Sequence, residues 1–185
     1  TVNLTEGSVD IGGSRTAIAQ QLAEVLNIPV EDVNPQIGDT DSIGYTSVTG
    51  GSGVAFKSGW AAYEAAQNIK SQLIGRAAVV WDTDEDQIDY AAGFATHKSD
   101  PELKLSFKEI AAASNATGGP IVGSAGVNPG GVGGSYSAMI VDVDVDPETG
   151  KTDIVRCTAF TDAGKAIHPD YVEGQIQGGS VQGIG

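Results

Sequence analysis

The chain has 185 residues, of which 40% are hydrophobic, a size and content that suit one compact domain with its own core. Its 24 acidic against 10 basic residues leave a formal charge of −14, which repels phosphate backbones and excludes a basic surface for nucleic acid or anionic lipid. Cys157 is the only cysteine, so this chain alone builds no internal disulfide, iron–sulfur cluster or thiolate zinc site.

Thr1 to Leu4 reads as a strand that runs into the turn-rich loop Glu6-Gly7-Ser8-Val9-Asp10-Ile11-Gly12-Gly13-Ser14. Ile18, Leu22, Val25 and Leu26 then recur at helical spacing, with Ser14 as the expected cap and Asn27 with Pro29 as the stop. That order places loop amides at a helix N-terminus, where partial positive charge favours an anion or an electron-rich ligand atom. Val33 to Ile37 is predicted as a second strand, Gly38 to Ser42 as a turn, and Thr49-Gly50-Gly51-Ser52-Gly53 as a loop that starts a second helix. Phe56, Gly59, Trp60, Tyr63, Ala65, Ala66 and Ile69 form its apolar face through about Ile74, with Gly59 allowing a close neighbour.

Ile88 and Tyr90, then Phe94 and Thr96, predict a hairpin around Gly93. Ser106 and Glu109 form a capping box for a short helix, and Pro120 with the glycines from Gly118 to Gly134 makes a flexible connection. Tyr136, Ala138, Ile140, Asp142 and Asp144 alternate with Met139, Val141, Val143 and Val145, a strand with one packed face and one partly wet, turned back by Pro147-Glu148-Thr149-Gly150 into a strand through Phe160. The loop Asp162 to Pro169 feeds a last helix, in which residues 173–185 hold three glutamines and five glycines. Such a backbone suits close approach by a polar cofactor or tight packing on a sheet, and composition leaves both open. An immediate strand without an initiator Met and a helix still running at Gly185 predict a piece of a longer polypeptide.

Asp82, Asp84 and Asp86 have the spacing of a calcium loop, but Gln87 and Gly93 stand where it needs Gly and Glu, so a solvated turn is expected. Asp142, Asp144 and Asp146 read as a wet strand face. Asp39 and Asp41 are expected to bond their own turn rather than act as an acid/base pair. Cys157 is expected as a small buried hydrophobe rather than a nucleophile, since His97 and His168, the only candidate bases, sit in no matching local motif.

Three segments taken in order, Gly7 to Thr16, Gly38 through Gly53, and Val172 to Gly185, resemble the molybdenum-cofactor-binding large subunit of the xanthine dehydrogenase/aldehyde oxidase family. Val143 to Lys151 and Ala163 to Pro169 look like that family's hairpin and the loop before its last cofactor-contacting helix. The resemblance implies an α+β fold of mixed sheets with helices starting from Gly-rich loops, residues 1–185 being a single molybdopterin-binding domain. It implies hydroxylation of an aldehyde or N-heteroaromatic carbon with oxygen from water and a glutamate as base, in a cytoplasmic or periplasmic complex. Implied partners are the rest of the large subunit, iron–sulfur and FAD subunits or domains, and a small-molecule substrate, with neither nucleic acid nor a membrane span.

Molybdopterin, which holds its metal through its own sulfurs, is expected in the full-length parent and absent from the isolated piece, because the family's catalytic glutamate would lie beyond Gly185 and other cofactor segments before Thr1. No catalytic residue or metal ligand is therefore expected within the chain. Gly12 falls where many relatives carry the Gln of a Gly-Gln-Gly loop, leaving backbone amides of Gly12 and Gly13 as the available contacts. Gly51, Ser52, Gly53 and Val54 match the loop along the cofactor's phosphate and pterin side, and Gln175 matches a pterin-bonding glutamine. The alternative is a non-catalytic scaffold of the same fold that no longer binds cofactor. A nucleotide-binding domain ranks far behind, since neither a Gly-x-Gly-x-x-Gly nor a P-loop follows a strand.

Overall fold

The computed structural model describes residues 1–130 and 133–185. Gly131 and Val132, part of the expected flexible connection, lie outside the described residues. The fold is α+β. The chain divides into two compact units, Thr1–Pro129 and Gly130–Gly185.

The first unit opens with β1 (Val2–Glu6), α1 (Ser14–Leu26) and β2 (Val33–Ile37), a β-α-β crossover in which β1 and β2 pair in parallel with Val2 opposite Val33. Val2, Leu4 and Glu6 share the inner face of β1, while Asn3 and Thr5 are exposed. Ile18, Leu22 and Leu26 of α1 are buried against Val33 and against Ala62 and Ala66 of α2 (Val54–Trp81). Gly59 lets the helices touch, since a Cβ there would land on the Gln21 amide. Asn27 closes α1 in the left-handed conformation (φ +52), its N–H reaching the carbonyls of Ala23 and Glu24.

Three expectations are corrected here. Ser14 does not cap α1: Gly13 (φ +78) is the cap residue, and the Ser14 hydroxyl donates back to the Val9 carbonyl. The second helix continues past Ile74 to Trp81 because Leu73, Ala77 and Ala78 are buried in a second core with Ile88, Tyr90, Ala95 and Ile110. Phe56, Trp60 and Tyr63 are each at least 40% exposed; the packed face of α2 is the small one, Gly59, Ala62 and Ala66, which permits the closer approach to α1.

β3 (Ile88–Ala91), β4 (Phe94–His97) and β5 (Asp100–Ser106) form an antiparallel sheet with β4 central. The Ser106–Glu109 capping box opens α3 (Phe107–Ala112), and α4 (Ser114–Thr117) follows. Arg76 of α2 donates to the Thr117 and Gly119 carbonyls, fixing this segment to the helix. Tyr90 bridges the two cores, its hydroxyl donating to the Leu26 carbonyl at 2.9 Å. Burial pushes its phenol up to about 12.

The second unit is the antiparallel hairpin β6 (Tyr136–Val145) and β7 (Thr152–Asp162) followed by α5 (Pro169–Ile184). Asp146 accepts from the amides of Glu148 and Thr149 and from the Thr149 hydroxyl, which builds the turn and holds its carboxyl below the usual carboxylate range. The expected packed face of β6 is corrected: Met139, Val141, Val143 and Val145 are exposed, as are Ile140 and Tyr136 on the other face. Cys157, opposite Val141, is half-buried rather than buried. Among the described residues no helix is long and apolar enough to cross a membrane.

Candidate functional site: two glycine-rich helix starts

The loop from Gly7 to Gly13 and the loop from Gly38 to Gly53 meet in the first unit. The Thr46 hydroxyl donates to the Gly7 carbonyl at 3.0 Å, Thr46 and Ile43 fill the space where a Gly7 Cβ would stand, and Ser8 Oγ lies 2.5 Å from Ser58 Oγ in α2. The Gly38 amide donates to the Glu6 carbonyl at 2.7 Å, so both loops leave from the same ends of the parallel strands. In open parallel β-α-β units ligands bind outside the carboxyl ends of the strands.

Three of the four predicted glycine positions are open, while a Cβ at Gly53 would lie 3.1 Å from the Lys57 side chain. Gly12 (φ +62), Gly13 (φ +78) and Gly51 (φ +65) are left-handed, and a Cβ at any of them meets nothing within 4 Å. Ser52 also takes φ +55, an unfavourable conformation for a residue with a side chain. Gly53 is the cap residue of α2 and Val54 its first residue. Among the described residues, no partner engages the amides of Gly12 and Gly13, nor those of Val54, Ala55 and Phe56 in the first turn of α2.

The two helix starts differ electrostatically. At α1, Asp10 accepts from the Arg15 amide at 3.1 Å and pairs with the Arg15 guanidinium at 3.1 Å, so the protein itself supplies the negative charge. At α2 no acidic residue stands in the first turn and no side chain caps it, which leaves the positive end of a 28-residue helix for an outside anion. The donor set of free amides, with glycines that permit close approach, fits a ligand that carries phosphate and a flat polar ring.

Gln175 lies in the second turn of α5 in the second unit, exposed, its side chain making no hydrogen bond among the described residues. His168 caps that helix, Nδ1 accepting from the Tyr171 amide at 3.3 Å while its ring stacks on Tyr171 at 4.0 Å. Asp39 accepts from the Asp41 amide at 2.8 Å, bonding its own turn as expected. A shallow solvent-open pocket of about 450 Å³ lies between Trp60, Glu64 and residues 125–129, and none of the predicted glycines lines it.

Glu6 was read as the start of a loop, yet it is 6% exposed with both carboxylate oxygens buried and unpartnered. Burial, chiefly, and the nearby Asp10 carboxylate raise its pKa, against a smaller opposing effect of Arg15. Alternation with Val2 and Leu4 is the signal in the sequence that places it inward.

The family model described as a molybdopterin cofactor-binding domain matches residues 1–185. The chain belongs to this family. It is a molybdopterin cofactor-binding segment of the xanthine dehydrogenase/aldehyde oxidase type, and molybdopterin is the cofactor of that family. It is 33% identical to the nicotine 6-hydroxylase large subunit of Paenarthrobacter nicotinovorans, over all of this chain and 24% of the relative. To the carbon monoxide dehydrogenase large chain of Afipia carboxidovorans it is 31% identical, over 90% of this chain and 21% of the relative. The crystal structure of a Cu,Mo-CO dehydrogenase in its carbon monoxide reduced state superposes with a TM-score of 0.73 at 30% identity, covering 95% of this chain and 23% of that one. The molybdopterin-binding chain thus spans about a quarter of the length of the curated relatives it matches.

Proposed function

We propose that residues 1–185 form one cofactor-binding domain of a longer large subunit and supply one wall of the molybdopterin site in a molybdenum hydroxylase. The observation that carries this reading is the pair of open left-handed turns, Gly12–Gly13 and Gly51–Ser52, each standing at a helix start, in loops that Thr46 and Ser58 tie together. The amides of Val54 to Phe56 would receive the cofactor's phosphate, with no side chain competing for them. Gly12 and Gly13 would present backbone N–H groups to the cofactor's polar edge, and Gln175 would donate to and accept from the pterin. When bound, the cofactor supplies two-electron oxidation of a carbon with oxygen from water.

The substrate in this reading is a small molecule with an aldehyde or N-heteroaromatic carbon, and electrons pass to iron–sulfur and FAD partners. Relatives named for nicotine, carbon monoxide and xanthine show how widely substrates vary around the shared cofactor. A second reading, a scaffold without cofactor, is favoured by the absence of a side-chain amide at Gly12.

The test is metal and pterin analysis of the full-length large subunit, purified from a cofactor-producing host, with Gln175→Ala against the parent sequence. Lower cofactor content supports the first reading; a parent sequence that itself holds no molybdenum supports the second.

A further inference from the structure

Glu6 ends the buried face of β1, following Val2 and Leu4, which pack against the α1 core. Its position is inward, yet its side chain is a carboxyl with neither oxygen reaching a donor. Immediately after it comes the Gly7–Gly13 loop, closed by Ile11 N to the Val9 carbonyl, Ser14 N to the Ile11 carbonyl, the Ser14 hydroxyl to the Val9 carbonyl, the Thr46 hydroxyl to the Gly7 carbonyl, the Asp10–Arg15 pair and the Ser8–Ser58 contact. Gly12 and Gly13 lend that loop backbone freedom, with open space around both.

The charges bearing on Glu6 are Asp10 from the loop and Arg15 from α1, already paired to each other. β2 carries no ionisable side chain. The turn after β2 carries Asp39 and Asp41, and α2 carries Lys57 beside Ser58. Arg15 is thus the cation that bears on Glu6, and it is shared with Asp10. An ionised carboxylate kept buried without a partner is costly, whereas its neutral form is much less so.

We propose that Glu6 is a proton-operated latch on the Gly7–Gly13 loop: neutral, it stays buried under the closed loop; ionised, it opens the loop to reach water or Arg15. The sign follows from linkage. An acid whose closed-state pKa stands above its open-state value favours the closed form below the open-state value, and that preference is lost as pH rises through the closed-state value. Between the two, the opening constant rises by about tenfold per pH unit, then levels off. The latch does not depend on the cofactor reading, because both its parts belong to the chain itself.

The test is amide hydrogen exchange of residues 7–13 on the 185-residue chain across the weakly acidic to neutral range, corrected for the intrinsic rate, in the parent sequence and in Glu6→Gln. The expected result is protection that falls as pH rises in the parent and stays constant in Glu6→Gln. Parallel profiles in the two proteins overturn the latch. Should Glu6→Gln not fold, carbon-detected NMR titration of the Glu6 carboxyl in the parent decides: a midpoint shared with the Gly12 and Gly13 amide shifts supports it, and separate midpoints overturn it. Arg15→Gln is expected to move that shared midpoint upward, since Arg15 opposes the rise.

Discussion

Gly93 stands in the β3–β4 turn with φ +79, and a Cβ there would lie 2.6 Å from the Asn27 carbonyl oxygen, the backbone group that ends α1. Its own carbonyl accepts from the Phe107 amide at 2.9 Å, so it sits between the end of α1 and the start of α3. Gly93→Ala therefore meets two costs. Holding an L-residue in the left-handed region costs about 1–2 kcal/mol, and forcing a methyl onto an immobile backbone carbonyl adds about 1–3 kcal/mol of the kind seen in overpacked sites. The sum, about 2–5 kcal/mol, is a large fraction of the roughly 5–15 kcal/mol that stabilises a domain. At about 2–4 °C per kcal/mol it lowers the melting temperature by roughly 4–20 °C in a thermal scan followed by circular dichroism. Gly12→Ala is the matched control, since its φ of +62 is similar but nothing lies within 4 Å, so it meets the conformational cost alone. If Gly93→Ala melts within a degree or two of Gly12→Ala, the docking of the α1 end onto the hairpin is wrong.

Tyr90→Phe leaves the Leu26 carbonyl buried without its donor and is expected to cost about 1–3 kcal/mol by denaturant titration. Because the phenol is pushed up to about 12, the stability it contributes is intact below its ordinary value near 10 and fades between about 10 and 12. The parent should therefore lose stability over that alkaline window while Tyr90→Phe loses less, and phenolate absorbance should report one tyrosine ionising late. The isolated 185-residue chain, expressed in a cofactor-producing host, should carry no stoichiometric molybdenum by elemental analysis, because a site assembled from several segments is not preorganised when most are missing.

Much of this architecture is legible in the residues, and the failures have physical reasons. β2 and β6 fall where alternation and turn chemistry place them, and the Ser106–Glu109 box forms with both of its bonds. β5 escaped notice because Asp100-Pro101 reads as a turn and only Leu103 and Leu105 alternate behind it; as an edge strand it tolerates the proline. The length of α2 was hidden by Gly75 and Arg76, although Asp82, left-handed at φ +50, is the first residue that ends it. Helical spacing cannot say which of two faces packs, and on α2 the aromatic Phe56–Trp60–Tyr63 face lost to the small one that fits against α1. The glycines proposed for the site stand in loops before helices, as the residues suggest, but their assignment to a cofactor comes from the family resemblance and not from spacing. Glu6 was missed because a charged residue beside a glycine reads as loop, despite its place on the inner register of β1.

The most direct measurement is the molybdenum-to-protein ratio of the full-length large subunit carrying Gly12→Val together with Gly51→Val, beside a Gly150→Val control. All three glycines are left-handed with nothing within 4 Å of a Cβ, so the backbone strain per site is matched, but Gly150 belongs to the β6–β7 turn. The account predicts that the double variant loses most of its molybdenum while the control keeps the parent's ratio. A double variant as fully loaded as the control would contradict it.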